Sequence, residues 1–507
     1  MSKISITGLN ARNRAIAGMS YVAEAVKSTI GPFGINFLLE KDSKITNDGY
    51  NISSELCPTI KDEFERRGAL VAHEASAKTN EMVGDATSTA WALTNEIVKE
   101  AIRYLPSEKT LKAQKTPAEI INMIKKSKEN VLKELDLIAT PIRDKETLIK
   151  SALVSVEDED MAKLLGETQW ELGPEGIIIA EEVNQPTSSI ELVKGIRFDN
   201  GWGTSYVITN PEKQTLELND TSVLMTNYTI DIDELKMLNQ AVFTQLSAQG
   251  KTKIALIARA FTNEAIKVCM ESMQTKFNVY PINAPYTDQS QVFKDMETLV
   301  GGRYIDSEQA RLEDIYISDI GFAKRFVARR FDTIIAGEDT PEANIRIEAR
   351  VKELQDKIKG EQSPFMKKLL EERVAQLTNG FAILKVGSIS LTNRKRLKDK
   401  ADDAVNAIRF ALKYGTVKGG GLAFKEISDN MEEGDILKRP LLCVYNQIMS
   451  SAPEGFVIED WCRDPVYVLK TALENACEFA SVFSSVNGII TSENPKQCYC
   501  GNKQNNE

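Results

Sequence analysis

Between about Gly195 and Gly380 the chain alternates strand-like and helix-like segments, and on both sides of that stretch its pattern is mainly helical. Thr221 to Met225, Ile254 to Ala258 and Phe277 to Ile282 are short apolar runs with helical spacing between them, which defines an α/β module. The chain therefore leaves one folded module, builds a second and returns. With 507 residues it is too long for one core, and about three domains are expected.

The flanking text is legible in more detail. Asn10 to Ile30 is helical in period and stops at Gly31-Pro32, where proline and glycine end the pattern. Phe37-Leu38-Leu39 and Ile45-Thr46 flank a polar turn and suit a short hairpin. Glu63 to Lys78 and Ser88 to Tyr104 are further helices, and a polar stretch, Pro106 to Thr116, separates them from a helix through Asn130 and Leu137. After Pro141, helices give way to a buried-strand run at Gly176 to Ala180. Arg346 to Leu377 reads as a highly charged, solvated helical pair. A strand at Ala382 to Val386 then leads into a helix from Lys395 to Tyr414, and the rest is helical up to a polar tail, Gly501 to Glu507.

Composition removes several functional classes. The net charge is −10 with both signs spread along the chain, so the basic footprint that phosphate backbones require is missing and nucleic acid is not an expected partner. No apolar run approaches a membrane span, and Met1 to Arg14 lacks a signal-peptide core, so a cytosolic protein is expected. Seven scattered cysteines fit reduced thiols, and Cys498-Tyr499-Cys500 has no second ligand pair for zinc. His73 is the single histidine, which disfavours any mechanism built on a histidine base.

Gly84-Asp85-Ala86-Thr87-Ser88-Thr89 is the segment richest in chemistry. A turn of this kind opens a helix and aims backbone N–H groups and hydroxyls at one spot, which suits phosphate; the same residues also make an ordinary helix cap. Upstream stand Thr29-Ile30-Gly31-Pro32-Phe33-Gly34 and Thr46-Asn47-Asp48-Gly49; downstream stand Asp402-Asp403-Ala404, Gly419-Gly420-Gly421 and Asp464-Pro465. In this order and at these separations the set resembles the group I chaperonins, the GroEL-type family, over nearly the whole chain. A P-loop is not an alternative: Gln245 stands where the leading glycine would be, and Gly250-Lys251-Thr252 precedes a strand.

The resemblance implies a multi-domain α and α/β fold. A helical equatorial domain would comprise residues 1–137 and 414–507, a small intermediate domain 138–193 and 382–413, and an α/β apical domain 194–381. It implies ATP, Mg²⁺ and K⁺ as cofactors. Thr29, Ile30, Gly31, Pro32, Asp85, Ala86, Thr87, Ser88, Thr89, Gly420 and Asp464 would contact the nucleotide. Asp85 would hold Mg²⁺, Asp403 would orient or activate the water with Asp48 assisting, and Asp402 competes with Asp403 for that role. Partners would be unfolded polypeptides and further copies of the chain in a ring, with a co-chaperonin lid as a further candidate. Trp202, Tyr206, Val207, Phe243, Ile266 and Met270 would touch clients.

The chain also departs from that family. Ala86 stands in place of a glycine, and Asn47 and Phe33 in place of lysines. The hairpin that meets the adenine is missing between Pro453 and Trp461, and Gln240 and Glu271 replace apolar residues. The region near Asn446 and Gly455 lacks the charges that pair across rings, so weakened ring-to-ring contact is expected, with single rings as its extreme. Divergence on this scale suits a virus-encoded or organelle-type paralogue. Two readings follow: an ATP-driven folding chamber, or a chaperonin-derived binding scaffold with lost or weak hydrolysis.

Overall fold

The computed structural model describes residues 3–492 apart from 41–43, 106–114, 175, 212–213, 287–288 and 339. The polar tail, Cys498 and Cys500, and most of the polar stretch after Leu105 lie outside the described residues. The chain forms two compact units. One contains the chain up to Trp170, Glu182–Ser188 and everything from Val386 onward; the other contains Glu171–Glu181 and Ser189–Lys385.

The first unit is a helical body. Helices Gly8–Lys27, Glu63–Val83, Thr87–Ile102, Pro117–Ile138 and Val466–Ser484 bury one continuous core that includes Met19, Val22, Phe64, Trp91, Leu93, Ile97, Leu135 and Phe479. Their starts follow from local chemistry. Asp62 accepts the N–H groups of Phe64 and Glu65, and Thr116 and Glu119 cap each other around Pro117. Two of the helices cross almost backbone to backbone. A methyl group on Gly18 would stand 1.9 Å from the Glu65 carbonyl oxygen, and one on Gly68 2.0 Å from that of Ala15. The expected hairpin forms as Phe37–Leu38 antiparallel to Ile45–Thr46. Strand Lys3–Thr7 pairs antiparallel with Gly488–Ser492, joining the two ends of the described chain. Helix Leu391–Tyr414 lies in this unit and packs along helix Lys145–Val156.

The second unit is the α/β module. Its seven-stranded mixed sheet runs in the order Asn278–Asn283, Lys253–Ala258, Leu216–Thr226, Gly321–Ala328, Thr333–Ala336, Gly195–Phe198, with Tyr304–Ile305 also paired to Leu216–Thr226. The first three strands are parallel and the last three antiparallel. Alternate residues serve opposite faces, so Val223, Met225, Ala255 and Ile257 enter one core and Leu224, Ile254, Leu256 and Ala258 the other. The charged helical pair is present as Pro341–Gly360 and Pro364–Asn379. Its inner face is not solvated: Ile347, Leu354, Leu370 and Leu377 are buried. Asp295 accepts from Arg350 at 2.8 Å and from Arg373 at 2.7 Å, so a buried carboxylate is held between two guanidinium groups.

The glycine crossing generates a stability prediction. Gly68→Ala is expected to destabilise the protein by about 2 kcal/mol or more, because the methyl meets backbone that cannot rotate away. Gly360→Ala, where a methyl meets nothing within 4 Å, is expected to be within about 0.5 kcal/mol of the parent. Chemical denaturation of the two variants checks this.

Candidate functional site

Helix Glu63–Val83 ends at Gly84 in the left-handed conformation, φ 63°, and the Gly84 N–H donates to the Asn80 carbonyl. Three residues later helix Thr87–Ile102 begins, and Ala86 is also left-handed, with φ 58°. That conformation costs an alanine roughly 1–2 kcal/mol. The Ala86 methyl packs against the apolar cluster of Val83, Phe410 and Val468, which offsets part of the cost and leaves the backbone turn of the motif intact. The Ala86 N–H donates to Asp85 Oδ1 at 2.5 Å, fixing that carboxylate at the head of the helix.

Asp48 caps helix Gly49–Leu56, accepting from the N–H groups of Tyr50 and Asn51. Its Oδ1 also accepts from Thr87 Oγ1 at 2.5 Å, so the two helix starts are tied together. Gly49 permits the approach: a methyl there would stand 2.7 Å from Ser88 Oγ. Thr29 donates to the Val26 carbonyl at 2.7 Å and lies 3.2 Å from Ser88 Oγ, which brings in the loop that follows helix Gly8–Lys27. In that loop Gly31 has φ 85° and rests on Ile448, and Pro32 is exposed. The Ile30 side chain is buried among Ala92, Val444 and Ile448. Thr89 is half-buried.

Two further acids arrive from the C-terminal part of the chain. Asp464 lies on strand Arg463–Pro465, opposite Val417, and its carboxylate accepts the Gly420 N–H. Asp403 lies on helix Leu391–Tyr414. Burial pushes all three of Asp85, Asp464 and Asp403 up, and the carboxylates push each other further. Asp85 rises to about 6 beside Asp48, Asp464 to about 7 beside Asp85, and Asp403 well above the usual range beside Asp85, Asp48, Asp399 and Asp402. The charges of Asp85 and Asp48 act on Asp403, and Asp402 is among its acidic neighbours.

Asp48 thus meets the Thr87 hydroxyl, Asp85 lies within electrostatic reach of Asp48 and Asp464, and Asp403 within reach of Asp85 and Asp48. Among the described residues, no group of three or more His, Cys, Asp or Glu side chains converges tightly enough to hold a metal ion unaided.

Sequence reasoning missed several neighbours. Asn406 packs over the motif, its Nδ2 2.3 Å from where a methyl on Gly84 would be. It stands three residues after Asp403 on the same helix face, a spacing that could have found it. His73 braces the helix that Asp48 caps: its Nδ1 is 2.8 Å from Ser53 Oγ, and it stacks on Tyr50 at 5.3 Å. Burial holds its pKa down, and Asp48 partly counters this. No hairpin forms between Pro453 and Trp461. Phe456 instead meets Phe33 edge to face at 4.9 Å, and Ile458 lies against Gly420, so an apolar wall borders the site at that end.

In the second unit two expected client contacts are corrected. Val207 belongs to the sheet core. Phe243, placed off the buried stripe by a regular helical count, is buried and tilted against Phe277 at 5.3 Å. The cause is a π-turn over Asn239–Phe243, which adds a residue to that turn and rotates Phe243 inward. Trp202 is half-buried, its Nε1 donating to the Gln214 carbonyl. Ile266 and Met270 are half-buried and Tyr206 is 72% exposed. Ile232, Met237 and Val268, which the sequence reading did not single out, are exposed on the helices nearby.

The TCP-1/cpn60 chaperonin family model matches residues 22–436, and the chain belongs to that family. Among solved structures it is similar to the chaperonin gp146 from the bacteriophage EL 2 (Pseudomonas aeruginosa), crystallised in the presence of ATP-BeFx. Crystal form II matches with TM-score 0.68 and 19% identity over 97% of this chain and 100% of that one. Crystal form I matches with TM-score 0.60 and 20% identity over 97% and 99%. The GroEL-type resemblance read from the motifs agrees with these matches. No helix of the described residues is long and apolar enough to cross a membrane.

The raised acids make stability depend on pH. A carboxyl whose folded pKa exceeds its unfolded value binds more protons when folded, so stability falls as pH rises through the interval between the two. For Asp464 that interval runs from 3.8 to about 7. In nucleotide-free, chelator-treated protein, Asp464→Asn is therefore expected to match the parent near pH 4 and to exceed it at pH 8. Solvent in the cleft limits the gain to on the order of 1–2 kcal/mol. Thermal unfolding across that pH range checks this.

Proposed function

We propose that the chain is an ATP-driven folding chaperonin: a ring of subunits that encloses unfolded polypeptides and uses hydrolysis to time their release. The observation that carries the proposal is the convergence of Asp48, Asp85, Asp403 and Asp464 on the start of helix Thr87–Ile102. The ATP-BeFx present with the similar phage chaperonin supports the same reading. Residues 1–137 and 414–507 would form the equatorial domain, 138–193 and 382–413 the intermediate domain, and 194–381 the apical domain.

In this reading Asp85 would hold Mg²⁺, which would supply positive charge beside the phosphates and relieve the repulsion among the acids. The start of helix Thr87–Ile102, with the hydroxyls of Thr87, Ser88 and Thr89, receives the phosphates, and the backbone of Thr29 to Pro32 closes over them. Asp403 accepts a hydrogen bond from the attacking water and orients it, and Asp48, already fixed by Tyr50, Asn51 and Thr87, assists. The ribose lies along Gly420 and Asp464. Phe33, Phe456 and Ile458 offer the base an apolar wall without side-chain donors or acceptors, so the base is held by stacking, to which alanine substitutions assign about 1–3 kcal/mol per base. Client segments meet the second unit at Tyr206, with Trp202, Ile266 and Met270 beside it.

Ala86 and the missing hairpin favour the alternative of a binding scaffold with weak hydrolysis. Steady-state phosphate release with Mg²⁺ and K⁺ separates the two. The parent is expected to turn over slowly, and Asp403→Ala to lose about 10²-fold or more in kcat while still binding nucleotide. A parent that binds nucleotide but releases no phosphate makes the scaffold the correct reading.

Base selectivity provides an independent check. With no polar side chain on the wall, kcat/KM for ATP and GTP is expected to agree within about tenfold. Strict preference for ATP would contradict the stacking account.

A further inference from the structure

We propose that the ion pair between Lys44 and Asp399 is a clamp that positions Asp48 and Asp403 relative to one another. The inference rests on the nucleotide-hydrolysis reading of the site. Lys44 Nζ lies 3.0 Å from Asp399 Oδ2, and the Lys44 side chain is only 8% exposed. Burial of this kind gives the pair more effect on geometry than an exposed one would have.

The placement of the pair in the chain makes it consequential. Lys44 immediately precedes strand Ile45–Thr46, which leads straight into Asp48, and the Asp48 N–H donates to Thr46 Oγ1. Asp399 stands one helical turn before Asp403 on helix Leu391–Tyr414, so the two carboxylates share a face. Each partner of the pair is therefore four residues from one of the two acids assigned to the water. A single contact fixes both elements at once, and the helix packs against that strand along the same edge.

Electrostatics explains why a clamp is needed there. The surroundings of Asp403 contain Asp48, Asp85, Asp399 and Asp402, and like charges at this density drive the helix away from the site. Lys44 contributes a positive charge at that edge, where its contact with Asp399 attracts the helix. Asn406, on the next turn beyond Asp403, adds a close contact with Gly84, so the segment bearing Asp403 is held on both sides.

Lys44 and Asp399 are positioning residues, and the test separates positioning from folding and from nucleotide binding. Lys44→Met, Lys44→Arg and Asp399→Asn are compared with the parent by fluorescent-ATP binding, single-turnover hydrolysis and amide hydrogen exchange over residues 399–406, with thermal unfolding as a check on the fold. Lys44→Met and Asp399→Asn are expected to slow the single turnover about tenfold or more while ATP affinity changes by less than about threefold, and Lys44→Arg to recover most of the rate. Exchange over 399–406 is expected to rise in Lys44→Met and to return to the parent level in Lys44→Arg. Unchanged hydrolysis in folded Lys44→Met and Asp399→Asn overturns the clamp, and so does an arginine variant as slow as the methionine one. Where the parent itself turns over no nucleotide, the hydrolysis reading fails on its own account. The exchange data then decide the clamp: equal exchange in parent and Lys44→Met removes it.

Discussion

Repulsion among half-buried carboxylates is the constraint around which the first unit is organised. Asp48, Asp85, Asp403 and Asp464 come from separate elements; Asp48 raises the cost of ionising Asp85 and Asp403, and Asp85 that of Asp403 and Asp464. Nothing in the apolar core compensates for that directly. The compensation is local: N–H groups of Tyr50, Asn51, Ala86 and Gly420, the Thr87 hydroxyl, and the helix start that faces the cluster. A cleft so arranged is under-neutralised by the protein alone. In the proposed nucleotide-hydrolysing reading, a divalent cation with a polyphosphate would relieve it, so that binding energy and conformational energy would share one source.

The glycines of this unit act where backbones must nearly touch. Gly18 and Gly68 let two long helices cross at carbonyl distance, Gly49 lets the cap of one helix meet the first turn of another, and Gly84 makes room for Asn406. These approaches set the spacing of the acids as surely as the hydrogen bonds do. Ala86 is informative because it breaks the pattern: it keeps the left-handed turn without glycine's freedom, and its methyl is absorbed by Val83, Phe410 and Val468. The family position is thus filled by a residue that exchanges backbone ease for burial.

The sequence made the helical body, the α/β module and the order of the acid motifs legible, because each rests on local periodicity or on a short motif. Gly84 to Thr89 could be read as the start of a helix with hydroxyls in its first turn, and it is one. The contacts that unite the site were not legible. Asp48 and Thr87 are 39 positions apart and Thr29 and Ser88 59, and no local pattern announces such pairs. Phe243 shows a different failure. A regular count of 3.6 residues per turn places it outside the stripe of Leu235, Leu238, Val242 and Leu246, but the π-turn after Leu238 changes the phase and the ring is buried. The charged pair Pro341–Gly360 and Pro364–Asn379 shows a third: its charge hid an apolar inner face and an Asp295 held by Arg350 and Arg373.

The corrections in the second unit change what its surface can do. With Val207 and Phe243 in the core, and Gln240 and Glu271 exposed, the exposed large apolar side chains near the expected client helices are few and spread over three elements: Tyr206, Ile232, Met237 and Val268. Separated apolar side chains capture an unfolded chain weakly at any one subunit, because little continuous area is removed from water at each contact. Weak contacts gain from repetition, since every further copy that engages the same chain does so at high effective concentration. In the proposed chaperonin, a face of this composition would therefore depend on being displayed many times around a ring far more than a continuous apolar groove would, and would release its load with a small loss of contact per subunit. That makes ring assembly and nucleotide-timed movement, more than the stickiness of any one subunit, the properties on which capture and release would turn.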